Sequence, residues 1–219
     1  MEIQKNNYVA IIDYEMSNLH SVFYACQKLG IKSIITSDNN IILNSKIAIL
    51  PGVGAYGQAM KKLKSLKLDS TIKKFIDSGK QLIGICLGLQ LLFSESEEFG
   101  NTKGLNLIEG TIKKIKYNVD SKIRYPIPHV GWNKICKNNS DWKETMLEKN
   151  NEFDFMYFVH SYYVDLKDKD KCLTTTNYGE ISFCSSINYE NIFATQFHPE
   201  KSSHQGLKIY EKIKEKFNN

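Results

Sequence analysis

Residues 81–93, with the sequence QLIGICLGLQLLF, give the clearest indication of the fold. The apolar run over residues 81–85 predicts a buried strand, and residues 87–93 predict a helix that follows at once. Cys86 therefore lies at a strand-to-helix turn, inside Gly84-Ile85-Cys86-Leu87-Gly88. A small nucleophile between glycines at such a turn is the pattern of a nucleophile elbow. A buried cysteine in a glycine-containing turn is the other interpretation of the same residues.

The elbow hypothesis gives each part of this turn a chemical task. The positive end of the helix dipole favours a thiolate at the sulfur of Cys86. We expect Gly84 and Gly88 to let the chain turn sharply and to let a substrate approach the sulfur.

The rest of the first half alternates in the same way. Short apolar runs predict strands, and apolar residues at spacings of three and four predict helices, the first of which ends at Gly30. Strand and helix in alternation imply a parallel sheet covered on both faces. The predicted strands cover residues 8–13, 32–36 and 47–50, and the predicted helices cover residues 19–29, 55–66 and 68–78.

The second half is rich in strands joined by polar turns, with a hairpin connection at Tyr178-Gly179-Glu180 and a closing helix over residues 202–217. We therefore predict one α/β domain, residues 1–219, with a mostly parallel central sheet, flanking helices and an additional antiparallel part. The order of the strands stays open. The strand-like segments are residues 110–117, 132–136, 153–160, 172–178, 181–189 and 192–198.

Composition narrows the classes of function. The chain has 219 residues, 42% hydrophobic and 24% charged, and its net charge is +5, which is ordinary for a soluble globular domain. Scattered lysine pairs predict solvated faces, with no nucleic-acid surface. Five cysteines without CxxC or metal-ligand spacing predict reduced thiols in the cytoplasm and no metal site. The apolar stretches are too short to span a bilayer, and a strand beginning near residue 8 leaves no room for a targeting segment.

A base for the thiol is predicted from Gln196-Phe197-His198-Pro199-Glu200. In a strand, residues two apart project from the same face, so His198 and Glu200 can reach one site. Pro199 between them fixes the local backbone and ends the strand. Alone, His198-Pro199-Glu200 also suits an ordinary turn. Together with Cys86 it predicts a triad of thiol, base and carboxylate.

The segment Pro51-Gly52-Val53-Gly54 follows the strand over residues 47–50 and precedes a helix. Its glycines can turn backbone N–H groups towards a developing oxyanion, as acyl transfer requires. The segment lacks the GK[ST] ending of a P-loop and the third glycine of a dinucleotide fingerprint. A tight strand-to-helix turn without a chemical role remains the alternative.

Taken together, these segments resemble the class I (triad-type) glutamine amidotransferases and, within that class, the HisH-like glutaminase subunits. The resemblance extends from Ile11 nearly to the C-terminus and implies a flavodoxin-like fold. It rests on PGVG (51–54), GICLGLQ (84–90), PHVGWN (128–133), YFVHSY (157–162) and QFHPEKS (196–202).

The resemblance implies a role for each site residue. Cys86 would attack the side-chain amide of glutamine, releasing ammonia and leaving a glutamyl thioester that water hydrolyses, with no cofactor. His198 would be the base and acid, and Glu200 would orient it. Backbone amides of Val53, Gly54 and Leu87 would hold the oxyanion. The implied substrate-binding residues are Gly52, Gln90, Glu98, Ser161 and Tyr162.

A partner subunit is also implied by the resemblance. The ammonia would pass through a tunnel into a HisF-type (β/α)8 cyclase, forming imidazole glycerol phosphate and an aminoimidazole carboxamide ribotide. Nucleotide binding by the partner would activate the glutaminase by turning a backbone amide of Val53 or Gly54 towards the oxyanion site. Without the resemblance, Trp132 would be assigned to the core. The implied interface residues are Asn18, Trp132, Asn133, Tyr157 and Lys201.

Two residues depart from the family pattern at the first strand-to-helix turn. Glu15 and Ser17 stand where the pattern DYGxGN has glycines, whereas Leu89 and Val130 replace methionine conservatively. Because the turn lies near the implied partner face, an alternative is a paralogue that supplies ammonia to a sugar amidotransferase in surface-polysaccharide synthesis. A catalytically silent binding subunit and a cysteine peptidase are the alternatives from other classes.

Overall fold

The computed structural model describes residues 7–116, 125–138 and 141–218. Strands and helices alternate up to residue 91, and strands dominate from there to residue 195. The helices are α1 (Leu19–Lys28), α2 (Asn39–Asn44), α3 (Tyr56–Ser65), α4 (Leu68–Asp77), α5 (Leu87–Leu91) and α6 (Ser203–Asn218). The strands are β1 (Val9–Ile12), β2 (Ser33–Thr36), β3 (Ile47–Gly52), β4 (Gln81–Cys86), β5 (Phe93–Ser96), β6 (Thr102–Lys103), β7 (Ile108–Lys114), β8 (His129–Lys134), β9 (Cys136–Lys137), β10 (Phe155–His160), β11 (Tyr162–Leu166), β12 (Cys172–Tyr178), β13 (Ile181–Tyr189) and β14 (Ile192–Thr195).

Twelve of these strands form one sheet with a parallel and an antiparallel part. The main path runs β2-β1-β3-β4-β14-β13-β11-β7-β5-β6, and β12 and β9 branch from β13. The pairs from β2 through β14 are parallel, whereas β13 pairs antiparallel with both β14 and β11. The predicted fold class is therefore confirmed, and the strand order that sequence reasoning left open is now defined.

The core occupies both faces of the parallel part. In β1, Ala10 and Ile12 belong to one cluster of buried residues, and Val9 and Ile11 belong to the other. This alternation follows from the two-residue repeat of a strand. Because all four residues are fully buried, β1 lacks the polar alternation of a strand that faces solvent on one side.

Strands β8 and β10 form a separate two-stranded antiparallel sheet, which we call the ribbon. Its register pairs Trp132 with Tyr157 and His129 with His160. Its free edge contacts the loop that follows β14, because the His198 N–H donates to the Tyr157 carbonyl at 2.9 Å. The ribbon thus connects an exposed surface with the segment that carries the predicted base.

Several element boundaries differ from the sequence-based prediction. Helix α2 and strands β5, β6 and β11 were missed, and the helix predicted over residues 87–93 ends at Leu91. Helix α2 is only six residues long, and it depends on the Asp38 carboxylate, which accepts from the N–H groups of Asn40 and Ile41. The strand predicted over residues 132–136 starts earlier, at His129, and β9 begins at Cys136. The strand predicted over residues 110–117 spans Ile108–Lys114, and residue 117 lies outside the described residues.

The hairpin predicted at Tyr178-Gly179-Glu180 is confirmed, since Tyr178 pairs with Ile181 and Gly179 has a φ of +61°. Among the described residues, no helix has the length and apolar character needed to cross a membrane.

Candidate active site

Cys86 ends β4 and immediately precedes α5. Its φ of 55° and ψ of −108° lie in a region that residues with side chains rarely adopt. Such strained residues cluster at functional sites. The nucleophile elbow predicted from sequence is thus present, and the sharp turn is made by the cysteine itself.

The neighbouring glycines serve close packing. A Cβ at Gly88 would lie 1.8 Å from the Leu50 carbonyl oxygen, and one at Gly84 would lie 2.9 Å from the Ala194 Cβ. Neither glycine has a positive φ. The expectation that they turn the chain is therefore wrong: they let α5 lie directly against the sheet, which places the start of this helix beside Cys86.

His198 and Glu200 form a buried pair next to this turn. Nδ1 of His198 lies 2.7 Å from Oε1 of Glu200, and the two side chains are only 3% and 2% exposed. The reason differs from the one predicted, because β14 ends at Thr195 and residues 199–201 form a short 3-10 helix. The turn of this 3-10 helix, and not strand alternation, brings the two side chains together.

The pair gives His198 unusual acid–base properties. Burial by itself lowers the pKa of His198, but interactions with Cys86 and with the Glu200 carboxylate raise it overall to about 10. The other ring nitrogen, Nε2, is buried and has no hydrogen-bond partner among the described residues. His198 is therefore oriented by Glu200 and has one ring nitrogen available for proton transfer.

The sulfur of Cys86 has two weak polar contacts. It lies 3.8 Å from the carbonyl oxygen of Val159 and accepts from Nε2 of Gln196 at 3.6 Å. The carbonyl can pair only with the protonated thiol, whereas the amide N–H can also stabilise a thiolate. Both protonation states of Cys86 thus have a partner.

A cavity of about 280 Å³ lies in front of Cys86. This is slightly below the range of about 300–1,000 Å³ that is typical of sites for drug-sized ligands, so it suits a small molecule better than an extended peptide. The structure brings eight of the predicted site residues to its wall. They are Val53, Gly54, Cys86, Leu87, Gln90, Glu98, Ser161 and Tyr162, and Pro128, Val159 and His160 complete the lining.

The predicted oxyanion amides differ in their availability. Leu87 lines the cavity at the first position of α5, where helical N–H groups have no intrahelical acceptor. The Val53 N–H donates instead to the Met16 carbonyl at 3.0 Å. Ser17 fixes the same segment, since its hydroxyl donates to the Pro51 carbonyl at 3.2 Å. In this structure the Val53 amide is therefore committed to the loop after β1.

Two of the predicted substrate-binding side chains already have partners. Nε2 of Gln90 donates to the Tyr162 carbonyl at 3.0 Å, and Glu98 accepts from the Tyr56 N–H at 2.6 Å, at the start of α3. Gly52 lies outside the cavity wall, and a Cβ at this position would clash with the Tyr14 hydroxyl. Ser161 and Tyr162 lie in the cavity wall.

The predicted interface residues differ in their exposure. Trp132 is 49% exposed and packs edge-on against Tyr157, so its assignment to the core is wrong. Asn18 and Lys201 are exposed as well. Asn133 is half-buried, and its amide donates to the Asn177 carbonyl at 2.9 Å.

Sequence reasoning assigned no role to three buried residues, namely Gln196, His129 and His160. All three stand inside the motifs that carried the resemblance, but nothing in a single sequence shows that they are buried together. Their hydrogen bonds link the ribbon to the cavity wall.

Comparison with known proteins gives a consistent result. Residues 10–214 match the family model described as glutamine amidotransferase class-I. The imidazole glycerol phosphate synthase subunit HisH of Aquifex aeolicus (strain VF5) is 45% identical over 208 residues, which cover 94% of this chain and 95% of that protein. The protein of the same name from Bacillus subtilis (strain 168) is 38% identical over 201 residues, 92% of each chain.

Solved structures show the same fold at low identity. A crystal structure described as a glutamine amidotransferase superimposes with a TM-score of 0.70 at 14% identity, covering 96% of this chain and 99% of that one. The structure of PurLQS from Thermotoga maritima gives a TM-score of 0.68 at 20% identity, covering 97% and 99%.

Proposed function

Because this chain belongs to the class-I glutamine amidotransferases and, within them, to the HisH family, we propose that it is the glutaminase subunit of an imidazole glycerol phosphate synthase. It hydrolyses glutamine to glutamate and ammonia for histidine biosynthesis. The observation that carries this proposal is the strained Cys86 beside the buried His198–Glu200 pair, at the wall of a small cavity.

The chemistry follows from these groups. Because its pKa is raised to about 10, His198 holds a proton at neutral pH. We propose that this proton comes from the thiol of Cys86, which leaves a thiolate. The thiolate attacks the side-chain carbonyl carbon of glutamine, and His198 donates the proton to the leaving nitrogen, so ammonia departs from a glutamyl thioester. Water then adds to the thioester with His198 as base. Glutamate leaves, and the proton returns to the Cys86–His198 pair.

Two backbone amides stabilise the oxyanion formed in both steps. Leu87 supplies one at the start of α5, and the Val53–Gly54 segment supplies the other. The Val53 amide first has to leave the Met16 carbonyl, to which it donates at 3.0 Å. We propose that binding of the partner turns this peptide, so that the isolated chain is slow and the complex is fast.

The proposed partner is a HisF-type (β/α)8 cyclase, which receives the ammonia in a heterodimer. The exposed side of the ribbon supports this proposal, since Val130, Trp132 and Phe155 are each about half exposed. Large exposed apolar side chains in one patch are typical of interaction sites. Asn18, Asn133, Tyr157 and Lys201 complete the proposed interface. Tyr157 also contacts the triad, because its carbonyl accepts from the His198 N–H at 2.9 Å.

We further propose that residues 1–219 form a single glutamine amidotransferase domain that works in the cytoplasm. The five cysteines are free thiols in the structure, which is consistent with a reducing compartment. The alternative acceptor, an amino sugar made for surface polysaccharides, keeps the same triad chemistry. It is favoured by Glu15 and Ser17, which stand in the loop that holds the Val53 segment.

The decisive experiment measures glutamate release from glutamine by the chain alone, with a HisF-type cyclase, and with the cyclase and its ribonucleotide ligand. We expect strong stimulation only in the last mixture. Full activity of the isolated chain would disprove the peptide switch. No stimulation, with Cys86 still alkylated by a glutamine analogue, would identify a glutaminase for another acceptor.

Substitution of the nucleophile tests the assignment directly. Cys86→Ala should reduce glutamine-dependent synthesis by the complex by at least about 10³-fold, while synthesis from added ammonium salt persists. Cys136→Ala is the matched control, because Cys136 lies on β9 outside the cavity wall. Persistence of glutamine-dependent synthesis in Cys86→Ala would contradict the proposal.

A further inference from the structure

Two imidazoles that the triad does not use lie beside the cavity, and one of them, that of His160, belongs to its wall. His129 on β8 and His160 on β10 form a register pair, and Nδ1 of His129 is 3.0 Å from Nε2 of His160. They are only 2% and 6% exposed. The Tyr178 ring stacks on His129 with centroids 3.9 Å apart, and the Phe183 ring packs edge-on against His160. The pair is therefore held rigidly by its neighbours.

The hydrogen bonds determine which nitrogen of each ring carries the proton. Nδ1 of His160 is 2.8 Å from the Tyr162 carbonyl oxygen, which can only accept, so this nitrogen carries hydrogen. Nε2 of His160 then accepts from Nδ1–H of His129. The remaining nitrogen, Nε2 of His129, accepts from the amide of Asn133 at 3.4 Å. The network thus assigns a single neutral tautomer to each ring.

The pair is built to stay neutral. Burial lowers the pKa of His129 to about 4 and that of His160 to about 3. A proton added to Nε2 of His160 would also make two N–H groups face each other between the rings, and one added to Nε2 of His129 would face the amide N–H of Asn133. These histidines therefore do not transfer protons in the reaction, and their hydrogen bonds have another use.

The network continues from His160 to the nucleophile. The Tyr162 carbonyl accepts from both His160 and Nε2 of Gln90. The same Gln90 nitrogen donates to Oε1 of Gln196 at 2.9 Å. This bond leaves Nε2 of Gln196 directed at the Cys86 sulfur, 3.6 Å away. Gln196 is fully buried and Gln90 is 6% exposed, so water does not compete for these bonds.

We propose that Gln196 is a catalytic residue that stabilises the Cys86 thiolate through its amide N–H, and that His129 and His160 are positioning residues for it. The histidines fix the Tyr162 carbonyl, that carbonyl fixes Gln90, and Gln90 fixes the rotamer of Gln196. The Val159 carbonyl is the partner of the neutral thiol, so Gln196 favours the reactive form. This inference rests on the proposed role of Cys86 as the nucleophile.

The test is the pH dependence of Cys86 alkylation by iodoacetamide, followed by mass spectrometry of the peptide that contains Cys86. Only the thiolate reacts, so the profile reports how well the anion is stabilised. Gln196→Met removes the N–H donor but keeps the length of the side chain. We expect its profile to move to higher pH, with alkylation about tenfold slower near neutral pH, since hydrogen bonds to charged groups are the strong ones.

The positioning role is tested by a pair of substitutions at one site. His160→Gln removes the donor to the Tyr162 carbonyl and should move the profile in the same direction by a smaller amount. His160→Asn places an amide N–H where Nδ1 stands and should restore most of the original profile. Thr195→Val is the control for general weakening, because it removes another fully buried hydrogen bond, from Thr195 to the Phe197 carbonyl at 2.9 Å, without a contact to the sulfur.

The proposal is overturned if the profile of Gln196→Met or of His160→Gln coincides with that of Thr195→Val, or if His160→Asn behaves like His160→Gln. Melting temperatures show whether each variant is folded. Iodoacetamide needs no glutamine turnover, so this result is separable from the proposed function, which is judged by glutamate release from the unsubstituted protein.

Discussion

The triad and the ribbon both bury histidines, but the two regions shift the pKa of these histidines in opposite directions. At the triad the pKa of His198 is raised to about 10, whereas in the ribbon the pKa of His160 is lowered to about 3. Burial lowers the pKa in both places. The difference lies in the partners, because Cys86 and the Glu200 carboxylate, 2.7 Å from the ring, raise the pKa of His198, whereas His160 has a carbonyl and a neutral ring as its partners. Charged partners beside one imidazole and neutral partners beside the other thus account for the opposite shifts.

The largest effect is expected when the carboxylate of Glu200 is removed. Glu200→Gln gives His198 a neutral partner like those in the ribbon, so its imidazolium loses the carboxylate that orients it and helps to raise its pKa. We expect kcat for glutamate release by the complex to fall about 10³- to 10⁴-fold, by analogy with the loss of the orienting carboxylate in other triads. The exposed Glu180→Gln serves as the control. Activity within tenfold of the unsubstituted protein would show that Glu200 is dispensable.

The acid stability of the protein tests whether His129 and His160 stay neutral in the folded state. Between about pH 4 and the ordinary histidine value of 6.5, the unfolded chain binds protons that the buried pair excludes. The free energy of unfolding should therefore fall as the pH falls through this window, by about 1.4 kcal/mol per pH unit for each histidine. Denaturant unfolding at several pH values measures this slope.

Removal of one imidazole should make the acid slope shallower. His160→Asn eliminates one titrating group, so its slope should be smaller by about 1.4 kcal/mol per pH unit. His204→Asn, at an exposed position, should leave the slope unchanged. Parallel pH dependence in His160→Asn and the unsubstituted protein would mean that His160 is not held neutral by the fold.

The smallest expected effect concerns the Tyr178 ring, which shields His129 from water. Tyr178 stacks on the His129 ring, and Tyr178→Leu should admit water and raise the pKa of His129 by about one unit. The chemical shift of the ring proton, followed by NMR over pH, measures this change. Tyr125→Leu is the matched control, because Tyr125 packs against Tyr178, with ring centroids 5.5 Å apart. An unchanged titration of His129 in Tyr178→Leu would show that Phe158 and Phe183 exclude water by themselves.

The parallel half of the fold was predictable because its signal is local. In β1 every residue is apolar and buried, and the helices that follow have regular apolar spacing and clear ends. The antiparallel half was harder. Strand β11 has mixed polarity and starts two residues after β10 ends, so the sequence pattern alone does not separate the two strands.

The residues of the proposed triad were recognisable for a different reason. Cys86, His198 and Glu200 stand in short motifs whose residue types are restricted by the chemistry. Their geometry was predicted less well, since a 3-10 helix and not a strand joins His198 to Glu200. The packing role of Gly88 was also missed, because the atom it would touch belongs to Leu50, 38 positions away.

The sequence by itself indicated the fold class, singled out Cys86, His198 and Glu200 as the proposed triad, and named most of the residues that form the cavity wall. These depend on local patterns and on residue types that few other roles require. Only the tertiary structure decided that the Val53 amide is held by Met16, that Trp132 is exposed, and that Gln196 reaches the sulfur. Each of these depends on contacts between segments far apart in the chain, whose partners and distances no sequence pattern records.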